Sequence, residues 1–199
     1  KGYVQAMTDG TIPPELHEKY LNIILFEVER LTDLTTDLLT LNEFDTKELL
    51  LDKTTFDIQE VIKYTALSFE GVCTPKHISI QLLLLPDAVF VCADKRKIQQ
   101  VLYNLIDNAI KFSENESSVF VEVSGKNDKI FVSVKDQGIG IPQEEIEHIF
   151  QSFYRGSNTH DYAGQGIGLS LTLKIVSAYN ARLEISSEIE KGTKVRVIF

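Results

Sequence analysis

The chain has 199 residues, 43% of them hydrophobic, which suffices for one substantial core and a small helical appendage. Twenty-nine acidic against 20 basic residues give a net charge of −9, and no basic cluster offsets it, so a nucleic-acid surface is excluded. The run Leu82 to Leu85 is too short for a membrane span, and Cys73 and Cys92 have neither metal-ligand spacing nor a disulfide framework, which reads as two reduced thiols.

In chain order, the first pattern is helical. Leu21, Ile24, Val28, Leu31, Thr35, Leu38 and Asn42 are spaced alternately by three and four, and Tyr20, Ile23, Leu34 and Leu41 form a neighbouring stripe. Two stripes on one helix mean two sets of helical neighbours. The heptads end near Asn42 to Asp45, and the domain boundary is expected near Asp45 to Leu51, giving a helical region 1–45 and a second domain 46–199. There the elements become short and mixed: a strand around Lys53 to Phe56, a helix from Ile58 to about Phe69, and strands near Ile78 to Leu82 and Ala88 to Cys92. Asp94 is the expected N-cap of the next helix. Val119 to Ser124 and Ile130 to Val134 read as a hairpin around Lys126-Asn127-Asp128, and Arg182 to Ser186 with Lys194 to Phe199 as a final pair. The charge runs Glu144-Glu145 and Glu188 to Glu190 read as solvated. The pattern predicts an α+β domain with helices on one face of a mixed sheet.

Three segments carry chemistry. Around Gln99 to Phe112, Lys97, Gln100, Asn104, Asn108 and Lys111 share one helical stripe, opposite an arc of Ile98, Val101, Leu102, Leu105, Ile106, Ala109 and Phe112. Asparagine offers neutral oxygens to a hard cation and lysine offers point charge to phosphate, which suggests a magnesium and polyphosphate site. The second segment, Asp136-Gln137-Gly138-Ile139-Gly140-Ile141-Pro142, follows a strand; its glycines allow a tight turn against a flat ligand, and Asp136 can accept from an exocyclic amine, which favours adenine over guanine. The third, Gly164-Gln165-Gly166-Ile167-Gly168-Leu169, opens a helix whose free N–H groups and dipole suit phosphate. It is neither a Walker loop nor a dinucleotide fingerprint. Between the last two, Phe150 to Arg155 reads as a hydrophobic anchor, and Gly156 to Ala163 as a polar lid that stays mobile until a ligand orders it.

Taken in order, these segments resemble the N box, first glycine box, F box and second glycine box of the catalytic domain of bacterial sensor histidine kinases. The resemblance implies a two-layer α/β sandwich that binds ATP, of the type shared with gyrase, the mismatch-repair ATPase and a heat-shock chaperone. It implies that Asn108 holds magnesium through ATP, with Asn104 one turn earlier, that Lys111 and Arg155 contact phosphate, and that Phe112 lies beside the nucleotide. Asp136 becomes the adenine acceptor, with Gly138, Gly140 and Ile141 beside it. Phe150 and Phe153 match the F box, next to Tyr154. Gln165 becomes the lid glutamine near the γ-phosphate, within the phosphate-binding run Gly164, Gly166, Ile167, Gly168 and Leu169. Asn104, Lys111 and Arg155 are the implied catalytic residues. The segment 156–163 lacks the second arginine of the pattern.

In the gyrase-like ATPases a glutamate that activates water stands in the place of Asn104, and an amide cannot act as a general base. Phosphoryl transfer to a protein nucleophile is therefore expected rather than hydrolysis. By the same resemblance, Glu15 to Phe44 is the second helix of a dimerisation and phosphotransfer hairpin, Lys1 to Gly10 is the end of its first helix, and Pro13 and Pro14 lie in the turn. The hairpin implies a homodimer, a response-regulator receiver domain as partner, a phosphoacceptor histidine upstream of Lys1, and a cytoplasmic piece of a membrane-anchored sensor. None of the four histidines is expected to replace that acceptor: His17 is read as solvated in a first helical turn, His77 as starting a strand, His148 as lying in a short helix, and His160 as lying in the lid. The alternatives are a gyrase-type ATPase and a catalytically silent dimerisation and regulator-binding module.

Overall fold

The structure, a computed structural model, describes residues 2–25, 28, 31, 32, 35, 39, 52–127, 129–160, 162 and 164–199. The chain divides into two compact units, Lys1–Thr46 and Lys47–Phe199.

In the first unit, helix α1 (Gly2–Thr8) ends before Gly10, whose φ of +78° suits a residue without a Cβ. A 3-10 turn (Pro14–Leu16) leads into helix α2, described over 17–25 and at 28, 31, 32, 35 and 39. Tyr3 and Tyr20 pack across the turn with ring centroids 5.1 Å apart. His17 is half-buried, and its Nε2 sits 3.0 Å from the Ile12 carbonyl, so it is not the solvated side chain expected. Of the heptad stripe, Leu21, Val28 and Leu31 are exposed and Ile24 is half-buried; Leu34, Leu38, Leu41 and Asn42 lie outside the described residues, as does the expected boundary from Asp45 to Leu51.

The second unit is a two-layer α/β sandwich. Its main sheet runs β2-β4-β5-β7-β6, formed by β2 (Ser79–Leu83), β4 (Ser118–Lys126), β5 (Lys129–Lys135), β6 (Arg182–Glu188) and β7 (Gly192–Ile198). β2 pairs parallel with β4, and the other neighbours are antiparallel, so the sheet is mixed. Strand alternation selects the inner face: Val119, Val121 and Val123 of β4 are at most 3% exposed. The outer face carries ion pairs such as Lys194 with Glu122 at 3.2 Å.

Helices α3 (Ile58–Leu67), α5 (Lys95–Phe112) and α6 (Gly168–Ala178) cover the inner face. α5 is the central one, and its apolar arc from Ile98 to Ile110 is almost fully enclosed. Asp94 caps it as expected, accepting from the amides of Arg96 at 2.9 Å and Lys97 at 3.3 Å. The Tyr179 hydroxyl, just beyond α6, accepts from the Asp94 amide at 3.1 Å, so the start of α5 meets the end of α6.

The expected strands β1 (Thr54–Asp57) and β3 (Phe90–Ala93) pair with each other as a separate two-stranded sheet. Two expectations change. The helix expected to reach Phe69 stops at Leu67, and a second short helix, α4 (Glu70–Lys76), follows; Gly71 and Pro75 are poor helix formers that hid it. His77 does not start a strand: it caps α4 in the left-handed region at φ 53°, and β2 starts at Ser79. Both cysteines are free, Cys73 buried and Cys92 exposed.

Candidate nucleotide site

Burial of the apolar arc fixes the rotation of α5 and leaves Asn104, Asn108 and Lys111 half-buried on the opposite stripe. Asn104 Nδ2 donates to the Gly168 carbonyl at 3.3 Å, which ties the stripe to the first residue of α6. Lys111 Nζ lies 4.8 Å from the Phe112 ring centroid and occupies the space that a Cβ on Gly164 would fill. Burial pushes the lysine pKa down; Asp107 opposes the shift and Arg155 adds to it. A half-buried ammonium that also feels the charge of Arg155 favours a neighbouring anion.

The first glycine turn grows from the end of β5. Asp136 is 7% exposed, and its Oδ1 accepts from the amides of Gly138 and Thr193, both at 2.9 Å. Both of these bonds fall on Oδ1, so Oδ2 takes no part in them. Burial raises the carboxyl pKa, and those amides and Lys135 pull against it. A Cβ on Gly138 would overlap the Phe112 carbonyl, and the Ile139 amide donates to that carbonyl at 3.2 Å. Only glycine lets the turn lie on the end of α5.

At the third segment, α6 starts at Gly168 without a capping side chain, so its first N–H groups are open to an anion. Ile167 is 1% exposed, so its side chain belongs to the core and the expected contact at this position can come only from its main chain. The Phe153 amide donates to the Gly166 carbonyl at 2.8 Å, joining the F-box segment to this turn. The Phe153 ring is not the expected anchor: the residue is 58% exposed in a left-handed backbone at φ 67°, whereas Phe150 is half-buried. Tyr154 is half-buried, with its ring 5.7 Å from His148.

The expected lid is extensively tied. Arg155 Nη2 donates to the carbonyls of Thr159 at 2.6 Å and Tyr162 at 2.7 Å, so the guanidinium organises the loop main chain while its charge also acts on Lys111. The Tyr162 ring sits 5.1 Å from that of Phe112. Asn158 Nδ2 donates to the Gly140 carbonyl at 3.0 Å. Glu145 was expected in solvent but is 9% exposed, accepting from the Ser157 amide at 3.1 and 3.2 Å through its two oxygens. Sequence reasoning missed Glu145, Asn158 and Tyr162 because each acts on main chain or on a ring far from it in sequence. Among the histidines, His148 lies in turns beyond a 3-10 helix (Gln143–Glu145), with Nδ1 3.1 Å from Gln151 Nε2, and His160 is exposed.

The residues fit an adenine nucleotide with magnesium: amide oxygens on α5 for the metal, cations and helix N–H groups for phosphate, and a buried carboxylate for the base. The chain matches, over residues 93–199, a family described as "Histidine kinase-, DNA gyrase B-, and HSP90-like ATPase". It is 30% identical over 202 residues to the sensor histidine kinase WalK of Bacillus subtilis, an alignment that covers 98% of this chain and 33% of that protein. Among solved structures, the Acinetobacter baumannii histidine kinase AdeS is 26% identical with a TM-score of 0.78, covering 100% of this chain and 91% of that one. A structure of histidine kinase ThkA in complex with the response regulator protein TrrA is 27% identical with a TM-score of 0.79, covering 100% of this chain and 55% of that one. The chain thus spans about a third of the length of WalK.

Proposed function

The chain belongs to the family of histidine kinase-, DNA gyrase B- and HSP90-like ATPases, and on that premise we propose that it is the kinase core of a two-component sensor histidine kinase. Its reaction is transfer of the γ-phosphoryl group of ATP to a histidine nitrogen, giving phosphohistidine and ADP, and then to an aspartate of a response-regulator receiver domain. The similarity to WalK, and to a histidine kinase solved with its response regulator, supports this reading.

The observation that carries it is the linkage of α5 to the start of α6 through Asn104 with Gly168 and Lys111 with Gly164. An amide at 104 positions but cannot deprotonate water, which favours transfer over hydrolysis. Asn108 would hold magnesium, and when bound the metal neutralises charge on the phosphates. Lys111, Arg155, Gln165 and the opening N–H groups of α6 supply the remaining positive field, fixed in place before the reaction. Asp136 orients the base. The half-buried apolar and exposed leucine stripe of α2 supports a homodimer through the helical segment.

In this reading the acceptor is none of the four histidines, which is supported by the contact of His17 with the Ile12 carbonyl, the helix-cap position of His77 and the turn positions of His148 and His160. Titration with magnesium ATP tests the binding step, and unchanged affinity in Asn108→Ala would contradict the metal assignment.

A further inference from the structure

One buried carboxylate outside the candidate nucleotide site ties two of the surrounding segments together. Glu145 is 9% exposed, and both of its oxygens lie within hydrogen-bond reach of the Ser157 amide. Its Oε2 also lies 2.8 Å from where a Cβ on Gly156 would stand, so a side chain there would push against the carboxylate. One residue further, Asn158 Nδ2 reaches the Gly140 carbonyl at 3.0 Å, in the turn that follows Asp136. The root of the 156–163 loop is thereby held at two consecutive points, one on the 3-10 helix before the F-box segment and one on the first glycine turn. Further along the same loop, Tyr162 rests on Phe112.

We propose that Glu145 and Asn158 are positioning residues that pin the root of this loop to the base-binding turn, so that the phosphate-side groups beyond it are presented from a fixed base. The inference rests on the nucleotide-site reading above. A carboxylate bonded to a main-chain amide is stronger than a neutral pair, and leaving that amide unpaired in a part-buried position loosens the root. Asp136 keeps its own bonds to the Gly138 and Thr193 amides when the loop root loosens, so adenosine binding is expected to change less than ATP binding.

The test combines hydrogen exchange at the Ser157 amide with calorimetric titration of the 199-residue chain by magnesium ATP and by adenosine. Glu145→Ala should raise Ser157 exchange and weaken ATP binding by about tenfold while adenosine changes by less than about twofold. Glu145→Gln, whose amide oxygen still accepts from Ser157, should restore most of both properties. Asn158→Ala, at an exposed position that does not threaten folding, should weaken ATP but not adenosine and leave Ser157 protected. Unchanged Ser157 exchange in Glu145→Ala, or equal losses for ATP and adenosine, overturns the proposal. Failure of the unsubstituted chain to bind either ligand would instead overturn the nucleotide-site reading, while Ser157 exchange would still decide whether Glu145 is the anchor.

Discussion

The Lys111 amine lies in the space that a side chain on Gly164 would need, so the last turn of α5 and the first residue of the second glycine segment share one volume. Gly164→Ala should therefore displace Lys111 and weaken ATP binding. The double substitution with Lys111→Met should be no weaker than Lys111→Met alone, because both changes act through one amine. A double-mutant cycle by calorimetry measures this, and fully additive losses would separate the two residues.

Base selection should reside in Asp136. Magnesium ATP should raise the melting temperature, since a ligand at a hundred times its dissociation constant stabilises by about 2.7 kcal/mol, and GTP should do much less. Asp136→Asn should abolish the difference. Equal ATP affinity in that variant would remove Asp136 from base recognition.

The shifted pKa values set opposite pH limits. Burial lowers the Lys111 pKa in the folded protein, so its contribution to stability is present above 10.5 and is lost as pH falls through the folded value. At neutral pH the buried ammonium is a cost that bound phosphate relieves, and ATP binding on the alkaline side should take up a proton at Lys111. Asp136 has its pKa raised by burial, so its contribution is complete below 3.8 and lost as pH rises through the folded value. An adenine amine needs the carboxylate, so affinity should fall as pH drops through that same raised value. Calorimetry in buffers of different ionisation enthalpy reads the proton uptake, which Lys111→Met should abolish.

The helical segment should bring protomers together. Leu21, Val28, Leu31 and Leu39 are 54%, 53%, 58% and 61% exposed, an apolar stripe that water does not favour. We expect a concentration-dependent homodimer that deletion of Lys1 to Phe44 turns into monomer in sedimentation. Equally tight dimers after the deletion would place the contact in the ATP-binding unit.

The parts of this fold legible in the sequence are those that side-chain pattern alone determines. The rotation of α5 follows from the period of Ile98, Val101, Leu102, Leu105, Ile106 and Ala109, and its start from Asp94. The two glycine turns were legible because close main-chain approach, as of Gly138 to the Phe112 carbonyl, excludes other residues. What was not legible acts on main chain at a distance. Glu145 beside Glu144 looks like a solvated run, yet its partner is an N–H 12 residues on, which no side-chain type announces. Arg155 likewise bonds carbonyls at 159 and 162, and Phe153 turns outward because its backbone takes a left-handed φ that its residue type does not signal. The short helix α4 was hidden by its own glycine and proline.

The most direct test follows the γ-phosphate of ATP. The 199-residue chain should bind magnesium ATP yet acquire no label, whereas a longer protein carrying an acceptor-bearing helix before Lys1 should form an acid-labile, base-stable phosphohistidine. The same longer protein with Asn108→Ala should stay unlabelled. Steady hydrolysis of ATP without any phosphoprotein would contradict the account in favour of a gyrase-type ATPase, and no nucleotide-dependent event would indicate a silent module. Label on the 199-residue chain that disappears in His17→Ala would show that the acceptor was present all along.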